Sequence, residues 1–506
     1  MGTWLAFAML FLMVSCAPDS GSETHSKGGT THGNHAPGDV STNLSTEQKS
    51  DWVRFGFDPS RSGVNPGETL VTPKTVGGLR KLWRVELPGI ADSSPVLLHG
   101  LEFPEGQRDA LYATTKNGGI IALDAASGKT LWSNETSGPQ ITTSSPVADP
   151  SKGLIYSYGL DGMLHKYDAT TGKESKGDGW PVRVTRMPET EKGSSALNIS
   201  GGRVYATTSG YVGDAPPYQG HVVAIDETTG ASKVFNSLCS DVDHLLSEDG
   251  CSSQRSGIWA RGGAVIDPAT GGVFATTGNG PYDANTGGDD YGDSVFRLDP
   301  NDLRISDSYT PETYQELEKA DADLGSTAPA LLPKIPDSKT PFLLIQGGKD
   351  KKLRLIDRQD LSGEGGPGHL GGELQEIDSP VCGTFTQPVV WTDERDQVKV
   401  IVAGTCGLAG YRVFTNAEGA THLRLAWKTS DKSTTPVLAG GVLFSATDGA
   451  LLALNPRNGR HLWSSAQDNV GGTIDDIHWE SPIAVNGRIY VSDQSGAMSA
   501  YGLPGK

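Results

Sequence analysis

From about residue 79 onward the chain is written in short runs of alternating apolar and polar residues, each cut off by glycine beside Asn or Asp. One such passage is "LYATTKNGGIIALDAASGKTLW" (111–132), and worn copies follow as "IYSYGLDGMLHKYDATTGKE" (155–174) and "LFSATDGALLALNPRNGRHLW" (443–463). A period of two is the signature of a strand with one buried face, and Asn-Gly or Asp-Gly supplies the tight turn between two of them. Each unit runs through "SSPV", a "VYA"-like strand, a glycine turn, "ALD", and a final strand ending in tryptophan. In "ALDAASGK", Asp124 is placed to cap local backbone and Gly128 to take positive φ. Four short antiparallel strands repeated at intervals of tens of residues predict the blades of a propeller. Seven units open near Ser94, Ser145, Ser195, Gly263, Pro329, Pro388 and Pro436. An eighth begins in "SPIAVNGRIYVSDQSGAMSAYGLPG" (481–505) but stops short of a tryptophan strand, which "LRKLWRVELPG" (79–89) can supply. The expectation is an all-β, eight-bladed propeller of four-stranded blades, closed by pairing its N- and C-terminal strands. Trp83, Trp132, Trp427 and Trp463 hold the same place in their units and read as packing between blades.

Composition sharpens this picture. The 506 residues include 66 Gly and 30 Pro, which suits many turns and argues against a helical bundle. The net charge is −18 with no run of Lys or Arg, so nucleic acid is not an expected partner. The start of the chain is different in kind. "WLAFAMLFLMV" (4–14) is an apolar run too short to cross a bilayer comfortably, and "LMVSC" (12–16) resembles a bacterial lipoprotein cleavage box. Residues 1–15 then form a lipoprotein-type signal peptide and Cys16 carries the lipid; ordinary cleavage near Ala17 is the alternative. Residues 16–50 lack aromatic residues and read as a flexible polar tether. Its His25, His32 and His35 are expected to be solvated. Residues 51–506 are one domain. The resulting expectation is an extracytoplasmic monomer, in the periplasm or at the cell surface, that meets a membrane only through its lipid. The other cysteines, Cys239, Cys251, Cys382 and Cys406, are even in number, and two disulfides are expected in an oxidising compartment. Pairing of neighbours, Cys239–Cys251 and Cys382–Cys406, is the simplest of three possible arrangements.

The repeat resembles the pyrroloquinoline quinone (PQQ) repeat over roughly residues 50–505. The opening "DWVRFGFDPSRSGVNPGETLVTPKTVGGLRKLW" (51–83) resembles the start of quinoprotein dehydrogenases. The same repeat also builds the non-catalytic lipoprotein of the outer-membrane barrel-assembly machinery, so it specifies fold more than chemistry. Chemistry is sought where the repeat is broken. "GGVFATTGNGPYDANTGGDDYGDSVFRLDP" (271–300) carries a long polar insert, and the resemblance places Asn279 as a calcium ligand beside the quinone. In "RSGIWARGGAVIDP" (255–268) it places Trp259 near the tryptophan that supports the quinone by stacking, at a spacing two residues longer than in the family. In "EKADADLGSTAPALL" (318–332) Asp321 matches the general base and Asp323 a second carboxylate available to the metal. In "GGKDKKLRLIDRQDLSG" (347–363) Lys349 matches the cation that contacts the quinone oxygens. The family's calcium-binding Glu is missing from "TSGYVGDAPPYQGHVVAID" (208–226), where Asp214 is a loose substitute, and the adjacent-cysteine pair found in many members is absent. The resemblance implies a dehydrogenase of an alcohol or sugar using PQQ and Ca2+. The alternative is a binding or scaffold propeller that holds a protein or polymer.

Overall fold

The turns of the repeat form where Asp and Gly were placed. Asp124 Oδ1 accepts from the backbone N–H of Ala126 (3.0 Å) and Ser127 (2.8 Å), and Gly128 closes the turn at φ +74°. That glycine has a second purpose. A Cβ on Gly128 would lie 2.8 Å from the Trp83 ring, and one on Gly172 or Gly459 would lie 2.6 Å from Trp132 or Trp427. Each tryptophan therefore packs on the turn glycine of the following blade. Its indole N–H donates to a carbonyl of that turn: Trp83 to Ala125 (3.2 Å), Trp132 to Ala169 (2.8 Å) and Trp427 to Pro456 (3.0 Å). Trp463, fully buried, instead meets Tyr501 of the next blade edge-on at 5.6 Å.

The computed structural model describes residues 49–212 and 214–505. The signal sequence, Cys16 and most of the tether expected before residue 50 lie outside the described residues. Eight sheets follow one another in chain order, each built on four antiparallel strands, and those of blades 3 and 7 carry a fifth short strand. Blade 1 runs from Val96–Phe103 to Thr130–Glu135, and blade 8 from Ile483–Val485 through Ala497–Gly502. Arg80–Glu86 completes blade 8, in antiparallel register from Arg80↔Gly502 to Glu86↔Ala497. The ring is thus closed by the two ends of the domain, as the missing tryptophan strand required.

The segment ahead of that strand was not legible as structure, and it closes one end of the channel. Trp52 pairs with Leu97 of blade 1, and Val53 O accepts from Ala148 N of blade 2 (2.9 Å). Arg54 reaches Asn198 of blade 3 (3.2 Å), and Pro59 O accepts from Ile266 N of blade 4 (2.9 Å). Ser62 O and Gly63 O accept from Val390 N (2.9 Å) and Leu438 N (2.8 Å) of blades 6 and 7, and Asn65 donates to Ala484 O of blade 8 (3.0 Å). Val64–Asn65 also adds a short parallel strand to blade 7. Arg61 sits at the middle, with no solvent exposure, donating to the carbonyls of Phe55, Ala196, Leu197 and Gly262 at 2.7–3.0 Å. Four carbonyl acceptors are what makes a buried guanidinium tolerable.

Two disulfides are present, Cys239–Cys251 and Cys382–Cys406, spanning 12 and 24 residues. This is the neighbour pairing. Non-reducing peptide mapping is expected to recover both linkages, and reduction to lower stability by roughly 2–4 kcal/mol per bridge. Free thiols at all four positions would contradict it.

Candidate active site

The innermost strands begin at the end of the channel opposite the leading segment. In blade 3, Lys192 and Ser194 face an open cavity, while Asn198 farther along bonds to Pro59 O (2.9 Å). The cavity, about 570 Å³, is lined by Trp259, Asn279, Asp321, Asp323 and Lys349, so all five pocket residues singled out from sequence meet in one place. Asp214 reaches only its exposed rim, where Tyr218 Oη donates to it (3.1 Å).

Local sequence explains the convergence. A Cβ at Gly278 would lie 2.6 Å from Asp323 Oδ1 and 2.8 Å from Trp259 Nε1, so only glycine lets the three elements close up. Asn279 follows it, its N–H donating to Asp323 Oδ1 (2.5 Å) and its carbonyl accepting from Ser256 N (2.8 Å). The only α-helix among the described residues, Tyr314–Ala320, is anchored by buried Leu317 and ends at Asp321, whose φ of +50° terminates it. Asp321 is left 72% exposed at the rim, while Asp323 is buried below. Lys349 bridges the two: its N–H donates to Asp323 O (3.0 Å), and its ammonium lies 3.0 Å from Asp321 Oδ1 and pairs closely with Asp323 Oδ2. The ammonium also stands over the Trp259 ring, 5.3 Å from its centroid. A half-buried ammonium gains from an aromatic face, so Lys349 and Trp259 support one another while the indole still lines the cavity.

A further carboxylate, Asp293, was missed. It ends the polar insert of blade 4, accepts from Leu324 N (3.0 Å) and is almost wholly buried. Burial pushes its pKa well up, and neighbouring Asp323 adds to this; Asp323 is itself raised by burial in spite of Lys349. The Asn279 amide lies between these two acids. Turned nitrogen-inward, it donates to Asp293 Oδ2 and Asp323 Oδ1, both at 3.1 Å. Turned oxygen-inward, it completes a set of oxygens with nothing to donate among them, which is the donor set of a hard divalent cation. Asp290 beside the Cys239–Cys251 bridge makes no comparable centre, since bonded sulfurs are not thiolates.

The opposite wall was also missed. Asp92, buried, accepts from His478 Nδ1 (2.8 Å) and Trp479 N (2.9 Å) and pairs with Lys116 (3.0 Å). Burial pushes its carboxyl up, but the bond to His478 and the nearby charges of Arg261 and Lys116 hold it near 2. Trp479 packs near Trp259 (6.4 Å) and Phe385 (6.3 Å) and carries Arg261 on its face (5.6 Å). A shared signal marks these positions: Asp92, Lys192, Asp323, Phe385 and Trp479 all lie three to six residues ahead of the Pro or Leu that precedes an innermost strand.

A family model described as outer membrane protein assembly factor BamB matches residues 77–240 and 409–503. The chain belongs to this PQQ-repeat family. Among curated proteins it is similar to the dehydrogenase subunit of the quinone-dependent alcohol dehydrogenase of Komagataeibacter europaeus, 26% identical over 353 residues, or 62% of this chain and 44% of that protein. The chain spans less than half the length of the first curated relatives it matches. Among solved structures, the PQQ-repeat protein resembles a europium-containing methanol dehydrogenase with a TM-score of 0.64 at 15% identity, covering 91% of this chain and 99% of that one. It resembles BamB from Moraxella catarrhalis with a TM-score of 0.50, again at 15% identity, covering 84% and 99%. At such identities the structural likeness speaks to the propeller alone.

Proposed function

We propose that this protein is a quinoprotein-dehydrogenase-like oxidoreductase that oxidises an alcohol or sugar with PQQ and Ca2+. The observation that carries the reading is the meeting of Asn279, Asp321, Asp323, Lys349 and Trp259 in one cavity, from two successive blades and the connection between them. Asn279, Asp323 and Asp293 would hold the cation, with Asp293 taking the place of the Glu missing from blade 3. When bound, PQQ supplies the hydride acceptor and calcium the charge that polarises it. Asp321, exposed at the rim and held by Lys349, accepts the substrate hydroxyl proton. Lys349 fixes that carboxylate and offers positive charge to the ligand's oxygens, while Trp259 gives the cavity a flat wall. Titration with PQQ in millimolar calcium, followed by quinone absorbance and tryptophan quenching, is expected to show saturable binding that EDTA weakens at least tenfold. No binding under those conditions would sink the reading.

A binding propeller is the second reading, favoured by a larger groove of about 860 Å³ between blades 6 and 7, lined by Trp391, Arg412, Trp427 and Arg457 and sharing no lining residue with the acidic cavity. It predicts no quinone binding and a partner that masks this groove.

Two disulfides support residence in an oxidising, extracytoplasmic compartment. Lipid attachment at Cys16 is proposed from the sequence before it. Cys16→Ser is expected to move the protein from the membrane pellet to the supernatant, and unchanged partitioning would leave ordinary cleavage near Ala17.

A further inference from the structure

We propose that Lys192 and Arg261 form a carboxylate-binding subsite on the wall of the cavity, so that the molecule the cavity takes carries a carboxylate at that end. The inference goes beyond the dehydrogenase reading and does not need it; it needs only an organic ligand in the cavity.

The observation behind it is an imbalance of charge. Most ionic groups lining the cavity are paired: Lys349 with Asp321 and Asp323, Arg255 with Glu318, and Lys116 with Asp92. Lys192 and Arg261 are the cations left out of such pairs, and the one carboxylate of the lining outside any ion pair among the described residues, Asp214, sits on the exposed rim and bonds Tyr218. Lys192 is 8% exposed and, among the described residues, its ammonium makes no hydrogen bond and has no carboxylate within 4.0 Å. The centroid of the Tyr211 ring lies 5.7 Å from it. Arg261 is 3% exposed and donates only to the carbonyls of Ser194 and Thr143, both at 2.6 Å. Burying one cation without a counter-charge is costly, and placing a second beside it raises the cost, unless an anion arrives from outside.

The strand holds Lys192 in this position. In Glu191–Gly193, Glu191 turns into a fully buried network, where its carboxylate accepts from Gln219 N (2.8 Å) and meets His221 (3.2 Å). Gly193 lies flat on Tyr158, where a Cβ would be 2.6 Å from the ring. Alternation sends Lys192 to the opposite side, into the cavity. Thr142 Oγ1 and Thr143 Oγ1 donate to Gly193 O and Ser194 O (both 2.8 Å), stitching the strand to blade 2. Arg261 joins the same carbonyl of Ser194, which keeps the two cations side by side.

The rest of the wall is aromatic, from Trp259, Phe385, Trp479 and Tyr211. An apolar body with a carboxylate suits that surface better than an inorganic anion. The carboxylate has two possible sources, a bound quinone or a substrate acid. The charged groups facing Lys192 are Arg261 and Lys116, opposed by Asp92 and by Asp214 on the rim. Burial, with those two cations, brings Lys192 down to about 8, so the subsite weakens as pH rises through that value.

The test is direct binding to the full-length protein, read by tryptophan quenching and by thermal melting. The probes are quinoline-2-carboxylate, its uncharged carboxamide, and PQQ. At pH 6.5 the wild type is expected to prefer the acid to the amide at least tenfold. Lys192→Met is expected to lose that preference, Lys192→Arg to keep most of it, and wild type at pH 9.5 to fall toward Lys192→Met. Equal affinity of the wild type for acid and amide, or an unchanged preference in Lys192→Met, would overturn the proposal. The pH comparison needs no substitution and serves if the variant fails to fold. Competition between PQQ and the quinoline acid assigns the carboxylate to the quinone, and simultaneous binding assigns it to the substrate. PQQ binding that is untouched by Lys192→Met, with no acid preference, would sink this subsite and leave the dehydrogenase reading standing. A Lys192-dependent acid preference without any PQQ binding would do the reverse.

Discussion

Asp321→Asn is expected to lower dye-linked oxidation of alcohols or sugars by about 10²–10⁴-fold while leaving PQQ affinity within a few-fold of wild type. The size is that of removing a positioned general base. The change keeps the shape of the side chain and the αL turn that ends the helix, a conformation asparagine tolerates well. It loses a 3.0 Å ion pair to Lys349, but the carboxylate is 72% exposed, so little stability goes with it. Asp323, buried and paired with Lys349, remains to hold the cavity together. The discriminating measurement is therefore the split between turnover and quinone titration. Full activity in the variant would remove Asp321 from the mechanism, and parallel loss of both would make it a structural residue.

Deleting residues 51–90 is expected to abolish folding of the domain. The deletion removes Arg80–Glu86, leaving Ala497–Gly502 as an unpaired edge and the ring open between blades 8 and 1. It also strips the partners of Leu97 N, Ala148 N, Ile266 N, Val390 N and Leu438 N at the closed end of the channel. A buried donor left without a partner costs about 1–3 kcal/mol, so five of them rival the whole stability of a domain, about 5–15 kcal/mol. Loss of the Arg61 plug and of Trp52 and Phe55, all fully buried, comes on top. The expected result is aggregation or loss of a cooperative thermal transition, whereas deleting residues 17–47 leaves the transition in place. A soluble fragment with a cooperative transition would show that the ring does not depend on its N-terminal closure.

The sequence alone determined the propeller, because a blade is a local object. Period-two alternation, the Asp–Gly turn and the tryptophan strand are each specified within some 40 residues, and a strand missing at one end with a spare at the other implies closure. The same locality explains why both cysteine pairs join near neighbours. Asn279, Trp259, Asp321, Asp323 and Lys349 were legible through the resemblance to quinoprotein dehydrogenases, and a long polar insert and an irregular connection that break the repeat showed where to apply it. What only the tertiary structure decided is which other residues share their cavity. Asp92, Lys192, Arg261, Asp293 and Trp479 come from blades 1, 3, 4 and 8, and they meet because a ring brings every inner-strand start to one axis. Nothing in the spacing of Lys192 to Arg261 along the chain encodes that they share one wall of the cavity with no carboxylate paired to either. The leading segment was opaque for a related reason. Its backbone and side-chain bonds together go to seven different blades, so it has no period of its own, and the ring it laces must exist before its conformation has any meaning.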